Sequence, residues 1–246
     1  MRLLLNGGGS GEQIVSAIEK LNEIIDHNKP LLYVPLAMDE SEHPNYDDCY
    51  EWISGQLRNI SIPSIDMTRT FEELASKNMD DYSAIFIGGG NTYKLLKGLK
   101  ESGAFDKIKE YVINDGVVFG GSAGSVIFGK DINIIATMDP NDVELNDTIG
   151  FNCLNGVSIF PHYTNKKSSL TEEQNIERHN KFTKAIIDFS LSVGPVIAYP
   201  EEDTLFINGD SVEMIGDRDY FLINEGNIVN YQSTDNKEMD NLKIIK

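Results

Sequence analysis

The sequence predicts an α/β protein with a mainly parallel sheet that is covered by helices on both faces. Through the first two-thirds of the 246 residues, short apolar runs alternate with segments of helical periodicity. Such alternation implies right-handed strand–helix–strand crossovers. Three of the apolar runs end in glycine-rich turns. The last third instead holds short strands separated by hairpin turns, which we expect as antiparallel strands added to one edge of the sheet.

The predicted strands of the first two-thirds are short apolar runs bounded by turn residues. They cover residues 2–6, 31–36, 60–65, 84–87, 116–119 and 157–160. Apolar residues at helical spacing predict helices over residues 12–25, 92–99, 105–113 and 172–190. After Pro195, alternation and hairpin turns predict strands over residues 196–199, 204–207, 212–215, 220–223 and 228–231. Without a linker or repeat, we expect one domain over residues 1–232 and a polar tail over 233–246.

Composition limits the classes of partner. The chain has 39 Asp and Glu against 21 Lys and Arg, a net charge of −18. So acidic a surface repels polyanions, and we expect no binding to nucleic acid or to anionic membranes. Without a signal peptide or transmembrane run, Cys49 and Cys153 are expected as reduced thiols in a cytoplasmic protein. Nothing in the pattern marks an interface, so a monomer and a homodimer both stay open.

A candidate nucleophile lies in the third glycine-rich turn. Residues 120–124 read Gly-Gly-Ser-Ala-Gly after a predicted strand and match G-x-S-x-G, in which small residues permit a strained turn that exposes the Ser122 hydroxyl. The amide of Ala123 would then donate to a developing oxyanion, with the amide of Gly90 in the second turn as its partner. The first turn, residues 7–11, lacks the Lys-Ser/Thr of a phosphate loop and is interpreted as a tight turn near the site.

A serine nucleophile needs a base, and the chain has four histidines. His162 follows the apolar run 157–160, at the end of a predicted strand on the side of Ser122, and is the candidate. The histidine in turn needs a carboxylate to orient it. Five acids lie between the two residues, and composition does not choose among them: Asp131, Asp139, Asp142, Glu144 and Asp147.

Three motifs together resemble the peptidase E family, relatives of cyanophycinase: Gly-Gly-Gly-Asn-Thr at 88–92, Gly-Ser-Ala-Gly-Ser at 121–125 and Pro-His-Tyr-Thr-Asn at 161–165. The resemblance covers about residues 1–216. It implies a flavodoxin-like three-layer sandwich similar to class I glutamine amidotransferases. It also implies a serine dipeptidase without metal or cofactor, which removes N-terminal aspartate.

Carried over by position, the resemblance implies Ser122 as nucleophile, His162 as base, and Gly90 and Ala123 as oxyanion donors. Thr137-Met138-Asp139 is similar to the family's acid motif, so Asp139 is the expected third member, with Asp142 in reserve. The acidic turn 200–203 is expected to be structural or to line the site. Asn91 and Tyr163 lie within the motifs and Arg178 lies in the predicted helix that follows them; all three are expected to bind a small peptide substrate.

The sequence departs from the family at the substrate-binding arginine, where Glu172 aligns, and at a second basic position, where Asn133 aligns. Arg178 or the pair at 166–167 would have to supply the cation. Other readings stay open: an esterase-like hydrolase, and a family member that binds a ligand without turning it over. A glutamine amidotransferase would need a cysteine nucleophile, and neither cysteine follows a glycine-rich strand end. The four scattered histidines show no metal-ligand spacing.

Overall fold

The structure is a computed structural model and describes residues 1–232; the predicted tail at 233–246 lies outside the described residues. The parallel strands are β1 (Arg2–Asn6), β2 (Leu31–Val34), β3 (Ile65–Met67), β4 (Ala84–Ile87) and β5 (Val117–Gly121). The remaining strands are β6 (Ser158–Phe160), β7 (Val196–Ala198), β8 (Thr204–Asn208), β9 (Ser211–Ile215), β10 (Tyr220–Asn224) and β11 (Asn227–Tyr231). The helices are α1 (Val15–Ile24), α2 (Asp47–Gln56), α3 (Phe71–Ser76), α4 (Thr92–Ser102), α5 (Ala104–Ile113), α6 (Ala123–Val126) and α7 (Glu172–Ser192).

The main sheet has seven strands in the order β3-β2-β4-β5-β1-β8-β9. Strands β3, β2, β4, β5 and β1 are parallel, whereas β8 pairs antiparallel with β1 and with β9. Every residue of β2 and β4 is buried, as expected for parallel strands with helices on both faces. The predicted α/β three-layer sandwich with a mainly parallel sheet is confirmed.

The second sheet differs from the prediction. Only β8 and β9 are added to the edge of the main sheet, while β6, β7, β10 and β11 form a separate four-stranded sheet in the order β11-β10-β7-β6. Within it, β6 and β7 run parallel and are joined through α7. A parallel connection of this kind needs a crossover, and the long helix supplies it. The hairpin pattern of the last third concealed this parallel pair.

Local signals explain the helix bounds near the site. Helix α4 begins after Asn91, whose side chain accepts a hydrogen bond from the Lys94 amide, and ends at Gly103 with φ of 81°. Helix α7 begins with a capping box of Thr171 and Gln174. Helices α2 and α3 lie in segments for which no helix was predicted. The third strand lies slightly later than predicted, at β3. Within residues 1–232, no helix has the length and apolarity that crossing a membrane requires.

Candidate active site

Ser122 occupies a strained turn between β5 and α6. Its backbone has φ of 50° and ψ of −111°, outside the regions that a serine ordinarily adopts. Such strain persists only where the surroundings enforce it. Two glycines allow the tight packing, since a Cβ on Gly124 would lie 2.2 Å from the Ile87 carbonyl oxygen, and one on Gly120 would lie 2.3 Å from the Gly124 carbonyl oxygen. The turn therefore has the form predicted from G-x-S-x-G.

A chain of hydrogen bonds joins Ser122, His162 and Glu201. The Ser122 Oγ lies 2.8 Å from His162 Nε2, and His162 Nδ1 lies 2.7 Å from Glu201 Oε1. The serine comes from the main sheet, whereas His162 follows β6 and Glu201 follows β7 in the second sheet. Because β6 and β7 are parallel neighbours, their carboxyl ends bring the imidazole and the carboxylate together.

The hydrogen bond expected from His162 Nδ1–H to Asp139 is not formed. Asp139 Oδ2 instead accepts from the Thr92 amide at 2.8 Å and from the Thr92 hydroxyl at 2.7 Å. A carboxylate at these two donors stabilises the first turn of α4. Asp142, the reserve choice, is exposed. The carboxylate that contacts His162 Nδ1 is instead Glu201, from the acidic turn that was expected to be structural or to line the site.

The strand–helix–strand pattern held a signal for Glu201. A predicted strand at 157–160, a long helix and a second strand at 196–199 form one βαβ unit, which demands parallel strands. Parallel strands end at the same edge, so the residues after 160 and after 199 become neighbours. Treating the second strand as part of an antiparallel hairpin separated Glu201 from His162.

The first glycine-rich turn fixes the position of the Glu201 turn. Asn6 is buried and its side-chain amide donates to the carbonyl oxygen of Glu201 at 3.2 Å, while its Oδ1 accepts from the Gly8 and Gly9 amides. The Gly9 amide donates to the same Glu201 carbonyl at 3.0 Å. On the other side, the Glu201 amide donates to Asn165 Oδ1 at 2.8 Å. The interpretation of residues 7–11 as a tight turn near the site is confirmed.

The proposed oxyanion donors lie beside the serine. A Cβ on Gly89 would be 3.2 Å from Ser122 Cβ, so the backbone entering Gly90 passes next to the nucleophile. Gly90 has φ of 131°, and a Cβ there would lie 2.3 Å from the Ala37 carbonyl oxygen, which restricts this position to glycine. Ala123 follows Ser122 directly as the first residue of α6. The donor roles of Gly90 and Ala123 stay predictions.

A cavity of about 740 Å³ opens at the Ser122–His162 pair. Arg178, from α7, lines this cavity together with Lys167 and Lys181. Its guanidinium donates to the Asn165 carbonyl oxygen at 2.7 Å and lies 4.4 Å from the centre of the Phe182 ring. Partial burial lowers the pKa of Arg178, and proximity to Glu201 opposes that shift. A guanidinium keeps its charge in proteins, so a fixed cation faces the cavity.

Two predicted substrate-binding residues have structural positions instead. Asn91 caps α4 and donates its side-chain amide to the Pro140 carbonyl oxygen at 2.8 Å. Tyr163 is buried, with its hydroxyl 2.9 Å from the Thr183 hydroxyl. Both side chains are occupied in holding the loops around the cavity. Glu172, at the position of the family's arginine, is exposed and pairs with Lys166 at 2.7 Å.

Within the described part of the chain, one group of side chains has metal-ligand geometry: His43, Asp48 and Cys49, whose ligand atoms all lie within 4.8 Å of one another. His43 Nδ1 and Asp48 Oδ2 are 2.6 Å apart and hydrogen-bonded. Burial, with a contribution from Asp48, raises the pKa of the Cys49 thiol to about 11. The thiol is therefore protonated at neutral pH, and a metal would have to displace its proton. Both cysteines are free, as predicted.

Curated relatives of this chain carry the name peptidase E. Among curated relatives, a peptidase E from Shewanella sp. (strain MR-4) is 31% identical and covers 89% of this chain and 89% of its own length. A peptidase E from Pasteurella multocida is 30% identical, covering 80% of this chain and 79% of its own length.

Solved structures share the fold. One from Listeria monocytogenes EGD-e, described as a peptidase E protein, matches with a TM-score of 0.63 at 23% identity, covering 87% of this chain and 98% of its own. A peptidase from an acI-B1 actinobacterium matches with a TM-score of 0.67 at 18% identity, covering 94% of this chain and 93% of its own. The model of the family described as peptidase family S51 matches residues 3–215. With nearly the whole described chain inside that match, this chain belongs to peptidase family S51.

Proposed function

We propose that this S51 peptidase hydrolyses short peptides through an acyl-enzyme formed on Ser122, with His162 as base and Glu201 as the carboxylate that orients it. The observation that carries the proposal is the continuous hydrogen-bond chain of 2.8 Å and 2.7 Å through the imidazole. Nucleophile, base and orienting group in mutual hydrogen-bond contact are the arrangement that activates a serine at neutral pH.

The first step uses each of these contacts. Glu201 accepts a hydrogen bond from Nδ1–H of His162, which fixes the tautomer whose Nε2 lone pair is directed at the Ser122 hydroxyl. As Oγ attacks the peptide carbonyl, the hydroxyl proton passes to Nε2 and Glu201 stabilises the imidazolium. The amides of Gly90 and Ala123 donate to the oxyanion, and each such donor contributes about 2.7–4 kcal/mol in comparable sites.

Collapse of the first tetrahedral intermediate completes acylation, and hydrolysis of the ester follows. His162 gives the proton from Nε2 to the leaving amine, and the amine departs as the Ser122 ester forms. Water then attacks the ester carbonyl while His162 accepts one of its protons. The tetrahedral intermediate collapses, the proton returns to Ser122 Oγ, and the peptide's acid fragment is released.

The charged side chains around the larger cavity suggest which substrates the enzyme prefers. The lining of this cavity includes three cations, Lys167, Arg178 and Lys181, beside three acids, Asp139, Glu177 and Glu201. Arg178 is held at the cavity by its contacts with Asn165 and Phe182. An acidic group of the substrate, such as an N-terminal aspartate side chain, is bound by Arg178 in place of the family's arginine. Planar guanidinium and carboxylate groups pair well in this way.

The test of the function is Ser122→Ala, assayed with a panel of dipeptides that vary at the N-terminal residue. We expect turnover to fall by at least about 10³-fold with the fold unchanged, because the nucleophile is lost. A fluorophosphonate should label Ser122 in the unaltered protein, and the site is read by mass spectrometry of the peptides. Ser76→Ala, an exposed serine at the end of α3, is the matched control. Full activity in Ser122→Ala would refute the assignment.

A further inference from the structure

A second cavity, of about 500 Å³, opens on another side of Ser122. It shares Ser122 with the larger cavity and reaches the nucleophile along the backbone of Gly88, Gly89 and Gly121. Because these glycines carry no side chains, the space beside the serine is left open. A part of the substrate that extends from the reacting carbonyl in this direction therefore enters the second cavity.

A row of aromatic rings forms the wall of this cavity. Tyr33, Phe86 and Phe119 are aligned partners on β2, β4 and β5, so their rings stand side by side across the sheet. Phe86 stacks on Phe119 with ring centres 4.4 Å apart, and Tyr33 meets Phe86 edge-on at 5.8 Å. Trp52 from α2 continues the row, 6.0 Å from Phe86.

The exposure of these rings changes along the row. Tyr33, Phe86 and Phe119 are almost fully buried, whereas Trp52 is 37% exposed. The indole therefore lies at the mouth of the cavity with part of its surface uncovered. Contact with an apolar group of a ligand removes such a partly exposed aromatic surface from water, which favours binding.

The two cavities differ in their charged groups. The larger one is lined by three cations, Lys167, Arg178 and Lys181, and by three acids, Asp139, Glu177 and Glu201, whereas the second has the pair of His43 and Asp48 at 2.6 Å. The segment 38–52, which supplies this wall, carries six acids and no Lys or Arg. A carboxylate is repelled here, while an uncharged ring or aliphatic side chain meets apolar surface.

We propose that this second cavity, the aromatic pocket, binds the aromatic or large aliphatic side chain of a peptide residue next to the bond that Ser122 cleaves. The inference rests on the proposed function, because it takes Ser122 as the point of attack. It adds a preference for a large apolar side chain, which the larger cavity beside Arg178 does not explain. The enzyme then acts on dipeptides in which one residue is apolar and large.

The kinetic test compares Phe-Ala and Ala-Phe with Ala-Ala. Burying a phenylalanine side chain is expected to raise kcat/KM for at least one of the two by roughly 10- to 100-fold. Trp52→Ala should lower that ratio by about tenfold, and Trp52→Phe, which keeps a ring, should largely retain it. Tyr50→Ala is the matched control, since Tyr50 is an exposed aromatic on the same helix, α2, at 41% exposure. Equal rates for the three dipeptides would overturn the proposal while leaving the peptidase function intact.

Binding is tested separately from turnover. Trp52 is the only tryptophan in the sequence, so its fluorescence reports on the mouth of the pocket. In Ser122→Ala, we expect Phe-Ala or Ala-Phe to change this fluorescence saturably, and Ala-Ala to leave it unchanged at the same concentrations. If the fluorescence change occurs but the unaltered protein cleaves neither these peptides nor any of the N-terminally varied dipeptides, Asp-dipeptides included, the pocket stands and the peptidase proposal fails. If neither phenylalanine peptide changes the fluorescence, the aromatic pocket is refuted.

Discussion

Replacing Glu201 by glutamine removes the negative charge from the orienting position while keeping the size of the side chain. The backbone contacts of residue 201 with Asn6, Gly9 and Asn165 do not involve the carboxylate, so the turn should keep its place. The substitution therefore changes the partner of His162 Nδ1 and little else. A glutamine can present its carbonyl oxygen to Nδ1–H, or its amide to an unprotonated Nδ1, which stabilises the wrong tautomer.

The expected magnitude follows from the exposure of the pair. In a serine protease whose aspartate is buried, the equivalent change lowers kcat by about 10⁴-fold. Here the side chains of His162 and Glu201 are 21% and 33% exposed, so water screens part of the charge. We expect kcat to fall by about 10²- to 10³-fold, equivalent to about 3–4 kcal/mol of transition-state stabilisation.

The assay measures kcat and KM for one dipeptide with the unaltered protein, Glu201→Gln and Asp139→Asn. Asp139 contacts Thr92 and not His162, so its substitution should lower kcat by less than about tenfold. A double substitution with Ser122→Ala adds a further check. Residues that act as one unit are non-additive, so Glu201→Gln should have little further effect once the serine is gone.

One result would show the reasoning to be wrong. If Asp139→Asn lowers kcat more than Glu201→Gln does, with both proteins folded by circular dichroism, then the carboxylate on His162 is not the one that supports catalysis. The hydrogen bond of 2.7 Å would then be a structural contact only.

Three further predictions concern the neighbourhood of the site. Gly8 has φ of 108° and a Cβ there would lie 2.6 Å from His162 Cε1, so Gly8→Ala should lower kcat by at least about tenfold. Gly156→Ala, with φ of 95° and no atom within 4 Å of the added Cβ, has a comparable backbone cost and should keep activity. Equal losses in both variants would contradict the steric explanation. Arg178→Gln should raise KM for an Asp-dipeptide by about tenfold or more and leave that for an Ala-dipeptide nearly unchanged, and a parallel change for both would exclude a charge-specific role. Burial raises the pKa of Asp203 from 3.8 to about 7, so the folded state binds a proton there that the unfolded state has lost between these values. The contribution of this proton to the stability of the fold is complete below pH 3.8 and is lost as pH rises through about 7. Asp203→Asn should therefore raise Tm, measured by thermal unfolding, more at pH 8 than at pH 4. A larger gain in Tm at pH 4 would refute the predicted direction of the pH dependence.

Much of the main sheet could be predicted because its signals are local. Strands β1, β2 and β4 are short, almost entirely apolar runs, as expected for strands of a parallel sheet with both faces buried. The helical spacing of α4, α5 and α7 was equally readable. By contrast, α2 is rich in acids and only weakly periodic, and its pattern does not distinguish a helix from an acidic loop.

Ser122 and His162 were predictable because each follows an apolar strand. Glycines around Ser122 expose its hydroxyl, and the end of a strand exposes the imidazole of His162. Asn91 and Tyr163 were assigned to substrate binding because they lie in the motifs at 88–92 and 161–165. The structure shows why nearness in sequence misleads: the Asn91 side chain turns to the helix it caps, and the Tyr163 ring is buried against α7. The direction of a side chain depends on packing that a motif does not contain.

The sequence by itself determined the fold class, the strained turn and the nucleophile, because strand hydrophobicity and small residues at 120 and 124 act over a few positions. Only the tertiary structure decided which carboxylate serves His162. That choice depends on β6 and β7 pairing in parallel across a helix of 21 residues, which brings position 201 within 2.7 Å of position 162. It likewise decided that Tyr33, Phe86 and Phe119 form one wall beside Ser122, since their alignment follows from strand register. The strand–helix–strand order indicates which strand ends meet, but the register that puts one side chain against another is set by tertiary packing.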